Sequence, residues 1–312
     1  MYSILFPGQG SQAVGMGYEF YNNFNLVKKI FKQADDKLNF GISKIILEGP
    51  SDKLLLTENT QPAILTVSYA IFSVLKKEFN FNFDSTKFFA GHSLGEYSAL
   101  VCSESLNFED ALYLLFERGK SMQEAVPVGK GSMIAVLGLS IDEVKDLIKK
   151  NTVGGICEIA NDNANGQTIL SGDIDSINSL KLILKENKKK FIPLNVSAPF
   201  HCSLMKSAAT IMHDKINSVN FKKPSFDVVC NVTSKPENNP ENIKRLLVEQ
   251  ICSTVRWRES IINMSKENVS NFVEIGPGKV LSGMVRRTVK NINCFSINSI
   301  SDMKKTIDEF KK

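Results

Sequence analysis

The sequence has few cysteines and histidines and no long run of apolar residues. Its six cysteines are scattered without any C-x-x-C pair. Neither a disulfide framework nor a zinc site is predicted, and a reducing cytoplasm is the expected location. No apolar stretch approaches the roughly 20 residues of a membrane-spanning helix, and the first residues show no basic leader or small-residue cleavage site. A membrane protein and a secreted protein are therefore not expected.

Charge of either sign is modest, with a formal net charge of +5. The basic residues cluster at Lys188–Lys190, Lys222–Lys223 and Arg286–Arg287, and aromatic residues are not interleaved with them. A nucleic-acid surface usually combines both, so no nucleic-acid partner is predicted. We interpret the clusters as solvated surface, with docking of an acidic protein partner as the alternative.

The order of apolar segments predicts two α/β units in one chain. Strands and helices alternate at both ends, which is typical of a mostly parallel sheet covered on both faces. The middle follows the order β-α-β-β-α-β, which is typical of a ferredoxin-like domain. We therefore predict a large hydrolase-like domain over residues 1–126 and 200–312. A smaller ferredoxin-like domain is inserted over residues 127–199, with hinges at Pro127–Gly129 and Ser197–Pro199.

Gly91–Gly95 carries the sequence GHSLG, which predicts a nucleophilic serine at Ser93. The apolar residues Phe88–Ala90 before it favour a buried strand, and Leu94–Val101 after it favour a helix. Glycines two residues either side of the serine relieve crowding in a sharp strand-to-helix turn. The start of the helix also directs free backbone N–H groups at negative charge developing near the hydroxyl.

A serine hydroxyl needs a base, and the chain has three histidines for that role. His92 adjoins Ser93 on the turn, where its ring would diverge from the hydroxyl, so we interpret it as structural. His213 lies within a helical pattern and is most simply a surface residue. His201 opens the helix predicted over residues 201–217, close to a domain hinge, which is where clefts form. His201 is therefore the candidate base.

Arg118 lies on or beside the apolar face of a predicted helix and has no acid nearby on that helix. The residues three and four positions away are Leu114, Leu115, Ser121 and Met122. A buried arginine needs a partner, which is either a distant acid of the fold or a ligand. A substrate carboxylate held by two parallel hydrogen bonds is the sharper of the two hypotheses.

These residues stand among motifs that run nearly end to end through the chain. Taken together, the sequence resembles the malonyl-CoA:acyl-carrier-protein transacylases of fatty-acid synthesis. The matching stretches, in the order and spacing of that family, are Pro7–Gln12, Thr60–Ala63, Gly91–Ala99, Arg118–Gln123, Asn161–Asn163, Pro199–His201, Gln250 and Glu274–Gly278.

The resemblance implies an acyltransferase that uses a Ser-His dyad. Ser93 would be the nucleophile, and His201 the general base and then the general acid. The main-chain carbonyl of Gln250 would orient the histidine. The backbone N–H groups of Gln9 and Leu94 would form the oxyanion hole.

The resemblance also implies the substrates. Arg118 matches the arginine that binds the malonyl carboxylate, and Phe200 the malonyl-selecting form of its motif. Gln61 and Asn161 fall in motifs that we assign to substrate binding. The expected reaction transfers malonyl from malonyl-CoA to the phosphopantetheine thiol of acyl carrier protein, by a ping-pong mechanism through a malonyl-serine ester. No metal and no cofactor is expected, since coenzyme A thioester is a substrate, and a monomer is expected.

Two alternatives remain open at the level of sequence. The first is a serine esterase or thioesterase, which would complete a triad with an acid between Ser93 and His201 in chain order. The second is a non-catalytic scaffold or carrier-binding protein that keeps the fold. The strictness for malonyl over related acyl groups and the choice between fatty-acid and polyketide pathways are also open.

Overall fold

The computed structural model describes residues 1–151, 154–196 and 198–311. The strands are β1 (Tyr2–Phe6), β2 (Thr86–Gly91), β3 (Gly131–Leu137), β4 (Cys157–Ala164), β5 (Gln167–Asp173), β6 (Lys190–Pro193), β7 (Asp227–Val229), β8 (Pro236–Glu237), β9 (Asn271–Ile275) and β10 (Asn293–Ile297). The helices are α1 (Tyr18–Asn23), α2 (Asn25–Leu38), α3 (Ile42–Glu48), α4 (Ser51–Leu55), α5 (Thr57–Lys77), α6 (Gly95–Cys102), α7 (Phe108–Glu124), α8 (Ile141–Asn151), α9 (Ile174–Glu186), α10 (Lys206–Asn217), α11 (Pro240–Gln250), α12 (Trp257–Lys266), α13 (Val280–Thr288) and α14 (Ile300–Phe310). Within this part of the chain, no helix is both long and apolar enough to cross a bilayer.

The larger sheet has six strands in the order β10-β9-β1-β2-β7-β8. The pairings from β10 to β7 are parallel, and β8 adds an antiparallel edge. Every residue of β1 is buried, as expected for a central strand covered on both faces. The predicted mostly parallel α/β sheet is therefore confirmed.

The smaller sheet has four antiparallel strands in the order β4-β5-β3-β6. Its elements follow one another along the chain as β3, α8, β4, β5, α9 and β6, which is the predicted ferredoxin-like order. A separate apolar cluster, which includes Ile134, Leu170 and Leu180, lies between this sheet and its helices. The domain boundaries at residues 127 and 199 stay a prediction, and Ser197 of the second predicted hinge lies outside the described residues.

The edge strand β4 of the smaller sheet pairs with the backbone of Val255, in the segment between α11 and α12. Asp162 N donates to Val255 O at 3.0 Å, and Val255 N donates to Ala160 O at 2.8 Å. The Arg258 guanidinium adds two hydrogen bonds to the Asp162 carboxylate, from Nε at 2.9 Å and from Nη2 at 2.8 Å. This connection fixes Asn161, which lies between the paired residues, relative to α12 and to the segment that follows α11.

The helix predicted after Ser93 is present as α6, and Asn107 caps α7 by accepting from Asp110 N at 2.7 Å. The prediction that His201 opens a helix is wrong. Its φ of 58° lies in the left-handed region, so helical structure starts only at the 3₁₀ turn Ser203–Met205. The periodicity did not predict α1, α3, α4, α12 and α14. The first three have at most seven residues, too few to show a periodic pattern.

Candidate active site

The turn between β2 and α6 holds Ser93 at the carboxyl end of the parallel sheet. The residue has a φ of 53°, in the left-handed region. A Cβ atom on Gly91 would lie 1.8 Å from Gly95 O, and one on Gly95 would lie 2.3 Å from Phe6 O. Side chains are therefore excluded at both positions unless the backbone moves. The glycines have the role that the sequence predicted for them, and the strained turn projects the serine hydroxyl into a cleft.

Ser93 and His201 form the predicted pair. Ser93 Oγ lies 2.8 Å from His201 Nε2, and His201 Nδ1 lies 2.9 Å from the backbone oxygen of Gln250. Because a carbonyl oxygen only accepts, Nδ1 carries the ring proton and Nε2 accepts from the serine hydroxyl. Burial, followed by the positive charge of Arg118, lowers the pKa of His201 to about 3. The imidazole is thus neutral at physiological pH and suited to act as a base.

The partner at His201 Nδ1 is a carbonyl and not a carboxylate. The esterase alternative requires an Asp or Glu there to complete a triad. Within the described part of the chain, the hydrogen bonds of the His201 ring go to Ser93 and Gln250 alone. The geometry therefore matches the dyad and lacks the acid that the hydrolase alternative needs.

The other two histidines have different surroundings. His92 Nε2 lies 2.8 Å from Asn163 Oδ1, and the ring packs edge-on against Trp257. Burial lowers the pKa of His92, so the ring is neutral and joins the nucleophile turn to β4. His213 is exposed on α10 beside Asp214. Both arrangements agree with the structural and surface interpretations made from the sequence.

Two backbone N–H groups beside Ser93 are available to an oxyanion. Gln9 follows β1 and Leu94 precedes α6, and both residues line the cleft. Among the described residues, neither N–H donates to a protein acceptor, whereas Ser93 N donates to Asn231 Oδ1 at 2.7 Å. The serine's own N–H is therefore occupied, and the two predicted donors are the ones free to stabilise a tetrahedral intermediate.

Arg118 projects from α7 into the cleft and is only 1% exposed. Its Nη1 donates to Gln61 Oε1 at 2.7 Å, and its Nη2 donates to Gln250 Oε1 at 2.8 Å and to Ser93 Oγ at 3.1 Å. In the described part of the chain, no carboxylate pairs with it, and its Nε has no hydrogen-bond partner. Its Cζ also lies 5.8 Å from the centroid of the Tyr97 ring. A buried cation held by neutral oxygens and an aromatic ring is suited to bind an anionic group of a ligand.

Behind Ser93 lies a buried polar network that the sequence motifs did not predict. Gln250 Nε2 donates to Glu96 Oε2 at 2.8 Å, and Asn231 N donates to the same oxygen at 2.9 Å. Asn231 Nδ2 also donates to Gly91 O at 2.7 Å. A signal for Glu96 was present, because it is the one charged residue of α6. No comparable signal marks Asn231, which comes from a distant loop.

The structure brings the predicted site residues together. Eight of the nine line one cleft, and Gln250 lies directly behind it. Gln61 and Arg118 lie on the side of the larger sheet, and Asn161 lies at the edge of the smaller one. Phe200 is largely buried among apolar residues of the opposite side, which include Met133, Leu194 and Val196.

Comparison with known proteins places this architecture in a family. The model of the acyl transferase domain matches residues 4–312. A malonyl CoA-acyl carrier protein transacylase of Bacillus subtilis is 40% identical, over 99% of this chain and 97% of its own length. The crystal structure of an acyl-carrier-protein S-malonyltransferase from Bartonella henselae is 39% identical and has a TM-score of 0.96, with 100% of this chain and 99% of that chain covered.

A third similar structure contains a carrier protein. It is a malonyl-transacylase in complex with its type II PKS acyl-carrier protein, and it is 36% identical with a TM-score of 0.95. The match covers 99% of each chain. Full-length similarity at this level, with the same fold, identifies the chain as an acyltransferase. The chain belongs to the acyl transferase domain family and, within it, to the malonyl CoA-acyl carrier protein transacylases.

Proposed function

We propose that this enzyme transfers a malonyl group from malonyl-CoA to the phosphopantetheine thiol of acyl carrier protein, by a ping-pong mechanism through an ester on Ser93. The observation that carries the proposal is the convergence of three groups: the Ser93 hydroxyl, the neutral His201 imidazole and the buried Arg118 guanidinium. The names of the relatives and the carrier-protein complex of a similar transacylase support the two substrates.

In the first half-reaction, Ser93 Oγ attacks the thioester carbonyl and His201 Nε2 takes the hydroxyl proton. The backbone N–H groups of Gln9 and Leu94 hold the negative charge of the tetrahedral intermediate. The C–S bond then breaks, His201 returns the proton to the departing thiolate, and CoA leaves. A malonyl ester remains on Ser93.

In the second half-reaction, the thiol of the carrier's phosphopantetheine arm attacks the ester carbonyl. His201 Nε2 takes the thiol proton, and the same two N–H groups hold the oxyanion. When the C–O bond breaks, His201 gives the proton to Ser93 Oγ and restores the free enzyme.

Arg118 selects the acyl group by its charge. A malonyl carboxylate accepts hydrogen bonds from the guanidinium, whose Nε has no protein partner. An acetyl group has no carboxylate and leaves the buried Nε of Arg118 without an acceptor, which typically costs a few kcal/mol. The enzyme therefore favours malonyl-CoA over acetyl-CoA.

The proposal is tested by intact-mass spectrometry after incubation with malonyl-CoA. We expect wild type to gain one malonyl group, which holo acyl carrier protein then removes, and Ser93→Ala to gain none. Without carrier protein, CoA release should stop after one equivalent. Continued CoA release without an acceptor would identify a hydrolase, and a wild type that gains no mass would indicate a non-catalytic binding protein.

The remaining expectations from the sequence stay predictions. They are a monomer in the cytoplasm that needs no metal or cofactor and binds neither nucleic acid nor a membrane. The pathway that the carrier protein serves, fatty-acid or polyketide synthesis, is a matter for the carrier and not for this site.

A further inference from the structure

Glu96 is a buried acid close to the candidate active site and has no role in the mechanism above. It lies in the first turn of α6 and is 1% exposed. Its Oε2 accepts hydrogen bonds from Asn231 N at 2.9 Å and from Gln250 Nε2 at 2.8 Å. A carboxylate at the N-terminal end of a helix is stabilised by the helix dipole, but one this deeply buried also needs a positive partner.

That partner is Arg118, one amide group away. Because Gln250 Nε2 donates to Glu96, the amide is oriented with Oε1 towards Arg118 Nη2, from which it accepts at 2.8 Å. No acid pairs directly with the guanidinium among the described residues. Burial lowers the pKa of Arg118; Tyr97 and, after it, the Glu96 carboxylate act in the opposite direction. The site therefore has one buried cation and one buried anion, joined through the side-chain amide of Gln250.

The other titratable groups around Glu96 leave this balance intact near neutral pH. Burial raises the pKa of the Cys230 thiol, which faces the carboxylate from beyond β7, well above its usual value. Burial likewise raises the pKa of Tyr97, the next residue on α6, to about 12. Glu96 itself has its pKa raised by burial to about 6, against the lowering effect of its hydrogen bonds and of Arg118. Glu96 is thus ionised above pH 6, but a second negative charge nearby would protonate it.

We propose that Glu96 compensates the charge of Arg118 in the free enzyme and takes up a proton from solvent when a substrate carboxylate binds Arg118. The inference rests on the proposed function, since it assigns a carboxylate-bearing acyl group to that site. Two carboxylates that share one buried guanidinium do not both stay ionised at no cost, and protonation of Glu96 removes the repulsion. An acetyl group adds no charge and leaves Glu96 ionised.

The expected consequence is a pH dependence peculiar to malonyl-CoA. A ligand that raises the pKa of a group binds more weakly as the pH rises through the value in the free protein. We expect the dissociation constant of malonyl-CoA, divided by that of acetyl-CoA, to rise by about tenfold between pH 6 and pH 8. The division removes the titration of the phosphates, which both thioesters carry.

Calorimetry in buffers of different ionisation enthalpy measures the proton directly. The full-length Ser93→Ala variant, which cannot form the ester, is titrated with malonyl-CoA and with acetyl-CoA at pH 7. We expect malonyl-CoA to take up between about half a proton and one proton more than acetyl-CoA. Equal proton uptake for the two thioesters would overturn the proposal. This test does not require a variant of Glu96.

Glu96→Gln separates charge from hydrogen bonding. A glutamine carbonyl oxygen in the place of Oε2 accepts from the same two donors, so the orientation of Gln250 is kept. In the Ser93→Ala background, we expect Glu96→Gln to abolish the difference in proton uptake and the excess pH dependence of malonyl-CoA. If Glu96 has only a structural role, its replacement leaves the proton uptake and the pH dependence unchanged. That result would refute the assignment.

The two proposals fail in different ways. If wild type forms no malonyl ester on Ser93, the proposed function is wrong whatever the proton count. If the ester forms and malonyl-CoA takes up no extra proton, the function stands and the role of Glu96 is wrong. Should Glu96→Gln prove insoluble, the comparison of the two thioesters on Ser93→Ala alone still decides.

Discussion

The two sides of the cleft differ in the forces that hold them. The polar side presents Ser93 and Arg118, and the residues behind them are Glu96, Asn231 and Gln250. Hydrogen bonds of 2.7 to 3.3 Å connect these five residues. The apolar side, formed by Met133, Leu194, Val196 and Phe200, is held by packing. Hydrogen bonds fix directions and charges, whereas packing fixes volume. We therefore expect the polar side to determine the reaction and the charge of the acyl group, and the apolar side to determine its shape.

The largest effect is expected from a change to the proposed catalytic pair on the polar side. His201→Ala removes the base, and we expect acyl transfer to fall by about 10⁴-fold or more. His213→Ala is the matched control, because this exposed histidine on α10 touches no part of the cleft. Steady-state transfer to carrier protein measures both variants. Residual activity within tenfold of wild type would exclude His201 as the base.

The next largest effect is expected at Arg118, where the change tests whether the polar side recognises the charge of the acyl group. We expect Arg118→Ala to reduce kcat/KM for malonyl-CoA by about 10²-fold or more, while acetyl-CoA changes little, because only malonyl loses an ionic partner. Arg245→Ala, a change at an exposed arginine of α11, is the control. The measured quantity is the ratio of kcat/KM values for the two thioesters. An unchanged ratio would show that the guanidinium does not bind the carboxylate.

A smaller effect is expected on the apolar side. Phe200→Leu removes volume from the wall without adding a polar group, so it admits a branched acyl group more easily. We expect the preference for malonyl-CoA over methylmalonyl-CoA to fall by about tenfold, the range for one methyl-sized difference in a pocket. Competition between the two thioesters provides the measurement. A loss of malonyl transfer with no change in preference would assign Phe200 to folding instead of selection.

The last prediction is that the rate does not fall at acid pH. His201 has its pKa lowered to about 3, so it stays an unprotonated base as the pH falls from 8 to 5. The rate of CoA release in the first half-reaction, at malonyl-CoA well below KM, should not decline over that range. A histidine with the ordinary pKa of about 6.5 would lose about thirtyfold by pH 5. A decline with its midpoint near 6.5 would contradict the neutral imidazole described above.

The sequence predicted those parts of the site that depend on local geometry. The turn at Ser93 needs glycine at two fixed positions, and such a requirement is visible in a single chain. The helix of Arg118 shows an apolar face with an unpaired cation, which pointed to a buried partner or ligand. The order of the middle strands and helices likewise followed from periodicity.

What the sequence did not predict depends on contacts between distant segments. Asn231 meets Ser93 across 138 positions, and no local pattern encodes that hydrogen bond. Gln250 was expected to act through its carbonyl, but its side chain also joins Arg118 to Glu96. The prediction wrongly placed His201 in a helix. Its single positive φ leaves no trace in the periodicity of the sequence. Short helices such as α4 were not predicted, because so few residues show no periodic pattern.

The strand pairing between β4 and Val255, together with the Asp162–Arg258 ion pair, has a consequence for binding. We expect this connection to hold both walls in place before a thioester enters, so that binding costs mainly the freedom of motion of the thioester itself. On the proposed mechanism, we expect the acyl donor and the carrier arm to use this cleft in turn without a large closure of its walls.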